Sequence, residues 1–250
     1  MGDRSGPAGA GEGSTDPIAK FSEYALGETG SSPRPRRSRR EAVKSAVPGG
    51  WRTPIRLAVT RLLRPISSRK ARRLLRADGP IRLHLGCGLQ YEPGWVNVDL
   101  SGPKTDFAWD LTGRLPLPAD SVDAIFHQNI IEYFDLDEAL RLTLECRRVL
   151  RPGGVLRVAA VDGAKSVRLY SQGEGQPGRI APTPMLSLNA MFYGHDHRIL
   201  YDANTLLMLC GAAGFPQAEI SEFGVGRLTP NIDVDEPIRR ATSVYVEAWR

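Results

Sequence analysis

Apolar residues show no period over the first fifty positions, and from about position 81 they fall into short blocks of two kinds. Blocks of the first kind run on continuously or alternate: "IRLHLG" (81–86), "WVNVDL" (95–100), "VDAIFH" (122–127) and "VLRVAAV" (155–161), with a weaker "TDFAWDL" (105–111). Short runs of this kind, bounded by turn residues, predict buried strands. Blocks of the second kind repeat every three to four residues. "DEALRLTLECRRVL" (137–150) predicts an amphipathic helix with Ala139, Leu140, Leu142, Leu144 and Val149 inward, stopped by Arg151-Pro152-Gly153-Gly154. "ANTLLMLCGAAGF" (203–215) predicts another helix, ended at Gly214, and the alternating "QAEISEF" and "TSVYVEAW" (242–249) close the chain as a β pair. Strands alternating with helices predict an α/β fold: a doubly wound, mostly parallel seven-stranded sheet with an antiparallel C-terminal edge hairpin. The first crossover, residues 87–95, is too short for a full βαβ unit, so a helix of about one turn is expected there.

Upstream, "IRLAVTRLLRPISSRKARRLLRA" (55–77) sets Ile55, Val59, Leu62 and then Leu74 and Leu75 on helical faces interleaved with arginine. Pro65 should split it into two short helices. Such a segment serves either as an amphipath for a membrane surface or polyanion, or as a pair of helices capping the domain with solvated arginine faces. Residues 1–50, rich in Gly, Ser, Pro and Arg, have too little apolar surface to offset their ordering entropy and are expected to be disordered. The expected organisation is therefore an arm (1–50), short basic helices (51–79) and a globular domain (80–250). No apolar signal-peptide core or span of transmembrane length is present, and Gly6 stands where myristoylation wants serine or threonine.

The net charge of +5 over 250 residues hides an asymmetry. Positions 31–76 carry a net +14, positions 1–30 a net −3, and positions 77–250 a net −6. The mildly acidic body speaks against nucleic acid as the substrate of a main cleft, and leaves the arm free for an anionic partner. Cys87, Cys146 and Cys210 lie far apart in apolar surroundings, with no metal-ligand spacing. They predict a reduced, cytoplasmic compartment.

Candidate chemistry begins at "LHLGCG" (83–88), a strand ending in two glycines. Glycine weakens a strand, so its place there calls for a positive φ or a close approach. In open α/β sheets a ligand sits at that end of the strands, which makes a nucleotide-like cofactor the default expectation. A dinucleotide is disfavoured. Tyr91 stands where its fingerprint wants a third glycine, and Asp99 lies 11 residues after Gly88 rather than the usual ~20. At the end of a second strand, Asp99 can accept both ribose hydroxyl protons.

Taken in order, strand–"LGCG"–strand–acid, Asp110 at the end of a third strand, "LPLPADSVDAIF", "ECRRVLRPGG" and the closing β pair resemble class I S-adenosylmethionine-dependent methyltransferases over residues 80–250. The interval to "GWVNVD" and the later "YGHDHRILYD…L…AGF" are similar to a bacterial branch often associated with glycan and cell-envelope methylation. The resemblance implies S-adenosyl-L-methionine as cofactor. It sets the backbone of Gly86, Cys87 and Gly88 against the methionine part and ribose, Asp99 on the ribose hydroxyls, Asp110 with Leu111 at the adenine edge, and Asn129 on the methionine and acceptor side. It also implies a hydroxyl-bearing acceptor, a glycan or glycolipid. The basic N-terminal region in turn allows a cytoplasmic enzyme in peripheral contact with the inner face of the membrane. Glu132-Tyr133 departs from the Glu-His often found after the fourth strand. "NIIEYF" lacks the Asn/Asp-Pro-Pro-aromatic segment of nucleic-acid methylation. Two other readings stand beside this one: a cofactor-binding or scaffold protein without activity, and a small-molecule methyltransferase.

A hydroxyl acceptor needs a proton sink. His84, inside a strand, reads as core, while His127, ending the fourth strand, lines the ligand or completes the core. His195 and His197 flank Asp196 in "FYGHDHRILYD", next to Tyr193 and Arg198. If that segment is extended, alternate residues face one side. It is then a base with its orienting acid (Asp196 or Tyr193), a polar loop fixing a lid, or a two-histidine metal site with Asp202 as third ligand.

Overall fold

The computed structural model describes residues 49–74, 79–100, 102–178, 181–193, 196–228 and 237–250. Within them lie helix α1 (Gly49–Leu74), strands β1 (Arg82–Leu85), β2 (Val96–Asp99), β3 (Phe107–Ala108) and β4 (Val122–Gln128), and a 3-10 turn (Ile131–Tyr133). Then follow α2 (Leu136–Val149), β5 (Leu150–Val161), α3 (Gly163–Ser171), α4 (Pro184–Tyr193), α5 (Ala203–Ala212), β6 (Gln217–Ser221), α6 (Pro237–Thr242) and β7 (Ser243–Trp249). One seven-stranded sheet runs β3-β2-β1-β4-β5-β7-β6. Strands β1 to β5 pair in parallel, and β7 lies antiparallel to both β5 and β6. The fold is the doubly wound mixed sheet that the alternation predicts. Its order reverses between β1 and β4, so a crevice opens beyond the carboxyl ends of those two strands.

The sheet's two faces differ in chemistry. Leu83, Ile125, Leu156 and Ala248 stand abreast on one face, in the main core with residues of α2 and α5. Helix α2 starts where it does because Asp135 and Glu138 form a capping box, and its charges run acidic to basic along the macrodipole. It buries Ala139, Leu142, Thr143, Cys146 and Val149, a 3.6-residue stripe. Leu140 is only partly buried and Leu144 is 44% exposed, a correction to the expected core: Leu144 lies one step off the stripe.

On the opposite face the abreast row is His84, Phe126, Arg157 and Glu247. Arg157 Nη1 meets Glu247 Oε1 at 3.0 Å with both side chains 0% exposed. Arg157 also donates to Ser221 Oγ (2.6 Å) and to the carbonyls of Glu222 (2.7 Å) and Val225 (3.0 Å). Glu247 accepts from the backbone N–H of Arg227 at 2.5 Å and of Leu228 at 3.3 Å. This ion pair draws residues 222–228 across the sheet, where Leu228 joins Trp95, Phe126 and Tyr245 in a second core.

Two expectations fail, one upstream of the sheet and one between β1 and β2. Pro65 does not split the basic segment; α1 is one helix with Pro54 and Pro65 inside it. Pro65 is exposed, so the Arg61 carbonyl that loses its donor faces solvent, where the interruption is tolerated. Residues 86–95 contain turns and no helix, fewer even than the single turn expected. Ile55, Val59 and Leu62 do share a face of α1, but it is the outer one. The inner face is Arg56, Thr60, Leu63, Ser67, Ala71 and Leu74. Of the expected disordered arm, residues 1–48 lie outside the described residues, and so does Leu75. No helix among the described residues is long and apolar enough to cross a membrane.

Candidate functional site

The two glycines around Cys87 serve different ends. Both take a positive φ, +69° at Gly86 and +55° at Gly88. A Cβ on Gly86 would stand 2.1 Å from Ile130 Cγ2, whereas one on Gly88 would meet nothing within 4 Å. Gly86 therefore lets the end of β1 close on the segment after β4, and a side chain there would strike Ile130 rather than a ligand. Gly88 faces open space. The loop is pinned to β2: Gly86 N–H and Cys87 N–H both donate to the Val98 carbonyl (2.7 and 3.2 Å), and Gly88 N–H donates to Asp99 Oδ2 (2.8 Å). The buried Cys87 thiol is pushed up to about 12 by desolvation and then by the nearby Asp99 and Asp106 carboxylates, so it is no nucleophile.

Asp99 ends β2 with its side chain only 13% exposed. Its Oδ1 accepts from Leu100 N–H (2.6 Å) and from Arg56 Nη2 of α1 (2.5 Å). The carboxylate is thus pre-aimed at the crevice, and a guanidinium already holds its second oxygen. Asp110, past the end of β3, accepts Thr112 N–H (3.1 Å) and Thr112 Oγ (2.7 Å) on one oxygen, closing a local turn. The Leu111 side chain lies in the main core. Among the described residues, then, Asp110 and Leu111 can offer an adenine edge only a second carboxylate oxygen and backbone.

The end of β4 carries polar side chains that the fold leaves unused. Both ring nitrogens of His127, both amide atoms of Gln128, Oδ1 of Asn129 and Oε2 of Glu132 are buried with no hydrogen-bond partner among the described residues. Asn129 holds φ +50° and ties its N–H to the Ala159 carbonyl (2.9 Å), which turns the chain out of the sheet toward the crevice. His127, 1% exposed, is pushed down to about 3 by desolvation and by His84, so it is neutral and too enclosed to serve as a base. His84 is a core residue, hydrogen-bonded to Asn97 Oδ1 (3.1 Å) and stacked at 5.5 Å on Phe126.

Glu132 was not singled out as a site residue from the sequence. It is 0% exposed, and desolvation raises its carboxyl to about 7 even though Oε1 accepts Val161 N–H at 2.5 Å. Its backbone carbonyl accepts from Arg198 N–H (2.7 Å) and Ile199 N–H (3.3 Å), so one residue ties the ends of β4 and β5 to the histidine segment. Tyr133 beside it is 43% exposed, and its phenol is held above its usual range by burial, then by the carboxylates of Glu132 and Asp196, with Asp99 also felt. An acid between isoleucines and aromatics, "NIIEYF", was the signal available.

The histidine segment is not extended. Asp196 takes φ +57° and His197 N–H donates to the Phe192 carbonyl (3.0 Å), the six-to-one closure of a helix end. The chain is therefore not extended at Asp196, where the expectation required it. His195 lies outside the described residues, as does the side chain of Tyr193. His197 is 8% exposed, sits edge-on to Tyr133 at 5.1 Å, and with Asn189, Phe192 and Asp196 lines an open pocket of about 570 Å³. Arg198 turns away to Glu138 (3.0 Å) and Asp135 (3.6 Å) at the start of α2. Asp202, the third ligand of the metal reading, is the cap of α5, accepting Thr205 N–H (2.8 Å) and Thr205 Oγ (2.6 Å). Among the described residues no group of His, Cys, Asp or Glu could hold a metal ion.

Comparison with known proteins adds to this geometry. A family model described as a methyltransferase domain matches residues 97–158, from β2 into β5. A "Probable S-adenosylmethionine-dependent methyltransferase" of Mycolicibacterium smegmatis is 38% identical over 73 residues, which are 29% of this chain and 28% of that protein. The match thus spans little more than a quarter of the relative's length. Solved structures that are similar include a SAM-dependent methyltransferase from Archaeoglobus fulgidus, at 17% identity and a TM-score of 0.45, covering 75% of this chain and 94% of that one. Another is phosphoethanolamine N-methyltransferase 2 of Haemonchus contortus in complex with S-adenosyl-L-methionine, at 14% identity and a TM-score of 0.45, covering 73% and 52%. Likenesses this loose decide neither acceptor nor catalytic residues.

Proposed function

We propose that the chain is an S-adenosylmethionine-dependent methyltransferase acting on a hydroxyl of a sugar, glycan or glycolipid. The observation that carries the reading is Asp99: a carboxylate at the end of β2, beside the switch point, aimed by the Gly88 N–H bond at 2.8 Å. The residues around it suit the cofactor. Asp99 can accept ribose hydroxyl protons, Gly88 leaves space, and the unpartnered Gln128 amide and Asn129 Oδ1 can meet the polar end of the methionine part. When bound, the cofactor supplies a methyl group on a sulfonium, ready for in-line displacement.

Most of the catalysis asked of the protein is placement, which can supply roughly 7–11 kcal/mol. A general base adds about 10²–10⁴-fold, or ~3–5 kcal/mol. His197, on the pocket wall against Tyr133, is the described residue able to take the acceptor's proton; His195, with Asp196, is the other candidate. The sugar or glycan acceptor rests on the resemblance of the sequence, and peripheral contact with the inner face of a membrane rests on the charge of the basic N-terminal region.

Titration calorimetry with S-adenosylmethionine tests the reading directly. Asp99→Ala should weaken binding at least about a hundredfold, because two charge-assisted bonds are lost at ~1.5–3 kcal/mol each. Unchanged affinity would sink the assignment. His197→Ala should leave the cofactor affinity intact and lower turnover by about 10²–10⁴-fold. If His197→Ala and His195→Ala both turn over normally, the loop is structural. A second reading, a cofactor-binding or scaffold protein without activity, is favoured by one contact, Arg56 on Asp99, and a wild-type chain that gives no binding heat would establish it.

A further inference from the structure

We infer that α1 is a latch on the cofactor crevice and that an anionic membrane surface opens it. The inference rests on the cofactor reading of Asp99 and adds how that site is controlled. Four side chains of α1 grip the ends of β2 and β3. Arg56 Nη2 lies 2.5 Å from Asp99 Oδ1, and Thr60 Oγ donates to the Leu100 carbonyl. Arg64 stacks 5.3 Å over the Trp109 ring, and Lys70 Nζ donates to the Asp106 carbonyl (2.9 Å). A ribose hydroxyl and the Arg56 guanidinium need the same carboxylate oxygen. Cofactor therefore binds only to chains whose Arg56 has let go, and its apparent affinity is reduced by the fraction still latched.

The helix is built to release one half and keep the other. Beyond Pro65 it is anchored by Ala71, fully buried, and by Leu74 against the main core. Before Pro65 it is held by Arg56, Thr60 and Arg64 with the half-buried Leu57 and Leu63. Pro65 has no N–H for the Arg61 carbonyl, which makes that turn the natural place to bend.

What would pull the front half away is written on an outer face that begins with Ile55, Val59 and Leu62 before Pro65 and continues to Ile66, Arg69 and Arg73 beyond it. Ile55, Val59, Leu62 and Ile66, spaced to form a single stripe, are 45%, 42%, 81% and 53% exposed. Exposed Arg61, Arg69 and Arg73 accompany them, and residues 49–74 contain eight Lys or Arg and no acid. An aliphatic stripe with cations and no carboxylate fits a bilayer carrying anionic headgroups. Nucleic acid would use the cations but gain nothing from the stripe. On such a surface Arg56 exchanges one carboxylate for lipid phosphates, and Asp99 Oδ1 becomes free to accept. Membrane and cofactor then favour the same open state, so each strengthens the binding of the other.

The test is S-adenosylmethionine affinity of the full chain, measured with and without phosphatidylcholine vesicles containing about 30% phosphatidylglycerol. Vesicles should tighten the dissociation constant roughly fivefold, which is the release of a part-exposed ion pair worth about 1 kcal/mol. Arg56→Ala should reproduce that gain without vesicles and respond no further to them. Leu62→Glu should keep the vesicle-free affinity and lose the response. If Asp99→Ala abolishes binding while Arg56→Ala binds like the wild type, the cofactor reading stands and the latch is overturned. Binding in no variant overturns both. An equal response to pure phosphatidylcholine, or to a short DNA duplex, overturns the anionic membrane as the opener.

Discussion

Arg157 and Glu247 are buried as deeply as His127 and Gln128, yet the fold treats the two groups in opposite ways. On the β5–β7 face every charged atom is answered: the pair meets at 3.0 Å, three further acceptors take Arg157, and two backbone N–H groups close on Glu247. At the end of β4, His127, Gln128, Asn129 and Glu132 keep polar atoms that nothing among the described residues answers. Burying a polar atom unpaired costs about 1–3 kcal/mol. A fold that satisfies one group in full and leaves the other open has specialised them. The first builds structure; on the cofactor reading proposed above, Gln128 and Asn129 of the second are kept for a ligand's polar atoms.

The widest gap between the two regions should appear on truncation. Arg157→Met removes one partner of the satisfied pair and strands Glu247, which should destabilise the fold by about 3–5 kcal/mol. For a chain of this size that is a fall in melting temperature of roughly 6–20 °C. Combining it with Glu247→Leu should recover much of the loss, because the penalty lies in the stranded charge rather than in the missing attraction. A single variant that melts within a degree or two of the wild type would mean the pair is not buried as described, and the contrast would lose its structural half.

How far the sequence carries this contrast depends on the range of the forces involved. Strands and helices follow from local period, so the sheet and α2 were legible from alternation, the three-to-four-residue repeat and the Pro-Gly-Gly stop. The inner face of α1 was not. Arg56 and Thr60 face inward because Asp99 and Leu100, some forty residues later, receive them, and no local apolar pattern marks such a face. The Gly-Cys-Gly turn and Asp99 were readable as a site because a glycine at a strand's end and an acid at the next strand's end are local signals. Glu132 was not, since an acid's burial depends on β5 and the 196–199 segment closing over it. In "GHDH" alternation suggests extended chain, but the backbone turns at Asp196, a turn set by the helix end that His197 N–H closes on Phe192.

A second, smaller effect should separate the groups by pH. Burial lifts Glu132 to about 7 from 4.5 and drops His127 to about 3 from 6.5. Between pH 4.5 and 6.5 the folded chain therefore holds a proton on Glu132 that the unfolded chain has lost, so stability falls as pH rises. Over the same window the unfolded chain holds a proton on His127 that the folded chain lacks, so stability rises with pH. Each slope is about 1.4 kcal/mol per pH unit, and in the wild type they cancel. Glu132→Gln should remove only the falling slope. Relative to wild type it should gain roughly 2–3 kcal/mol between pH 4.5 and 6.5 and stay level above about pH 7. Parallel profiles for the two chains would show that Glu132 is charged and solvated, and so no part of an open polar group.

The smallest effect is the sharpest test of what the unanswered atoms are for. Gln128 ends β4 at 7% exposure with both amide atoms unpartnered, and leucine has nearly its volume. If the amide serves only the fold, Gln128→Leu should lower stability and leave cofactor affinity unchanged. If it is kept for a ligand, the substitution should do two opposite things. It removes an unsatisfied buried group, so the chain should become more stable by about 1 kcal/mol. It also removes the partner a bound cofactor would use, so S-adenosylmethionine affinity should drop about five- to tenfold, the equivalent of one hydrogen bond. The paired measurement, melting temperature and titration on the same sample, separates the cases. Stability up and affinity down places Gln128 in the binding surface. Stability down, with affinity unchanged, would mean that the amide is satisfied within the fold after all, and that the end of β4 belongs with Arg157 and Glu247 on the structural side.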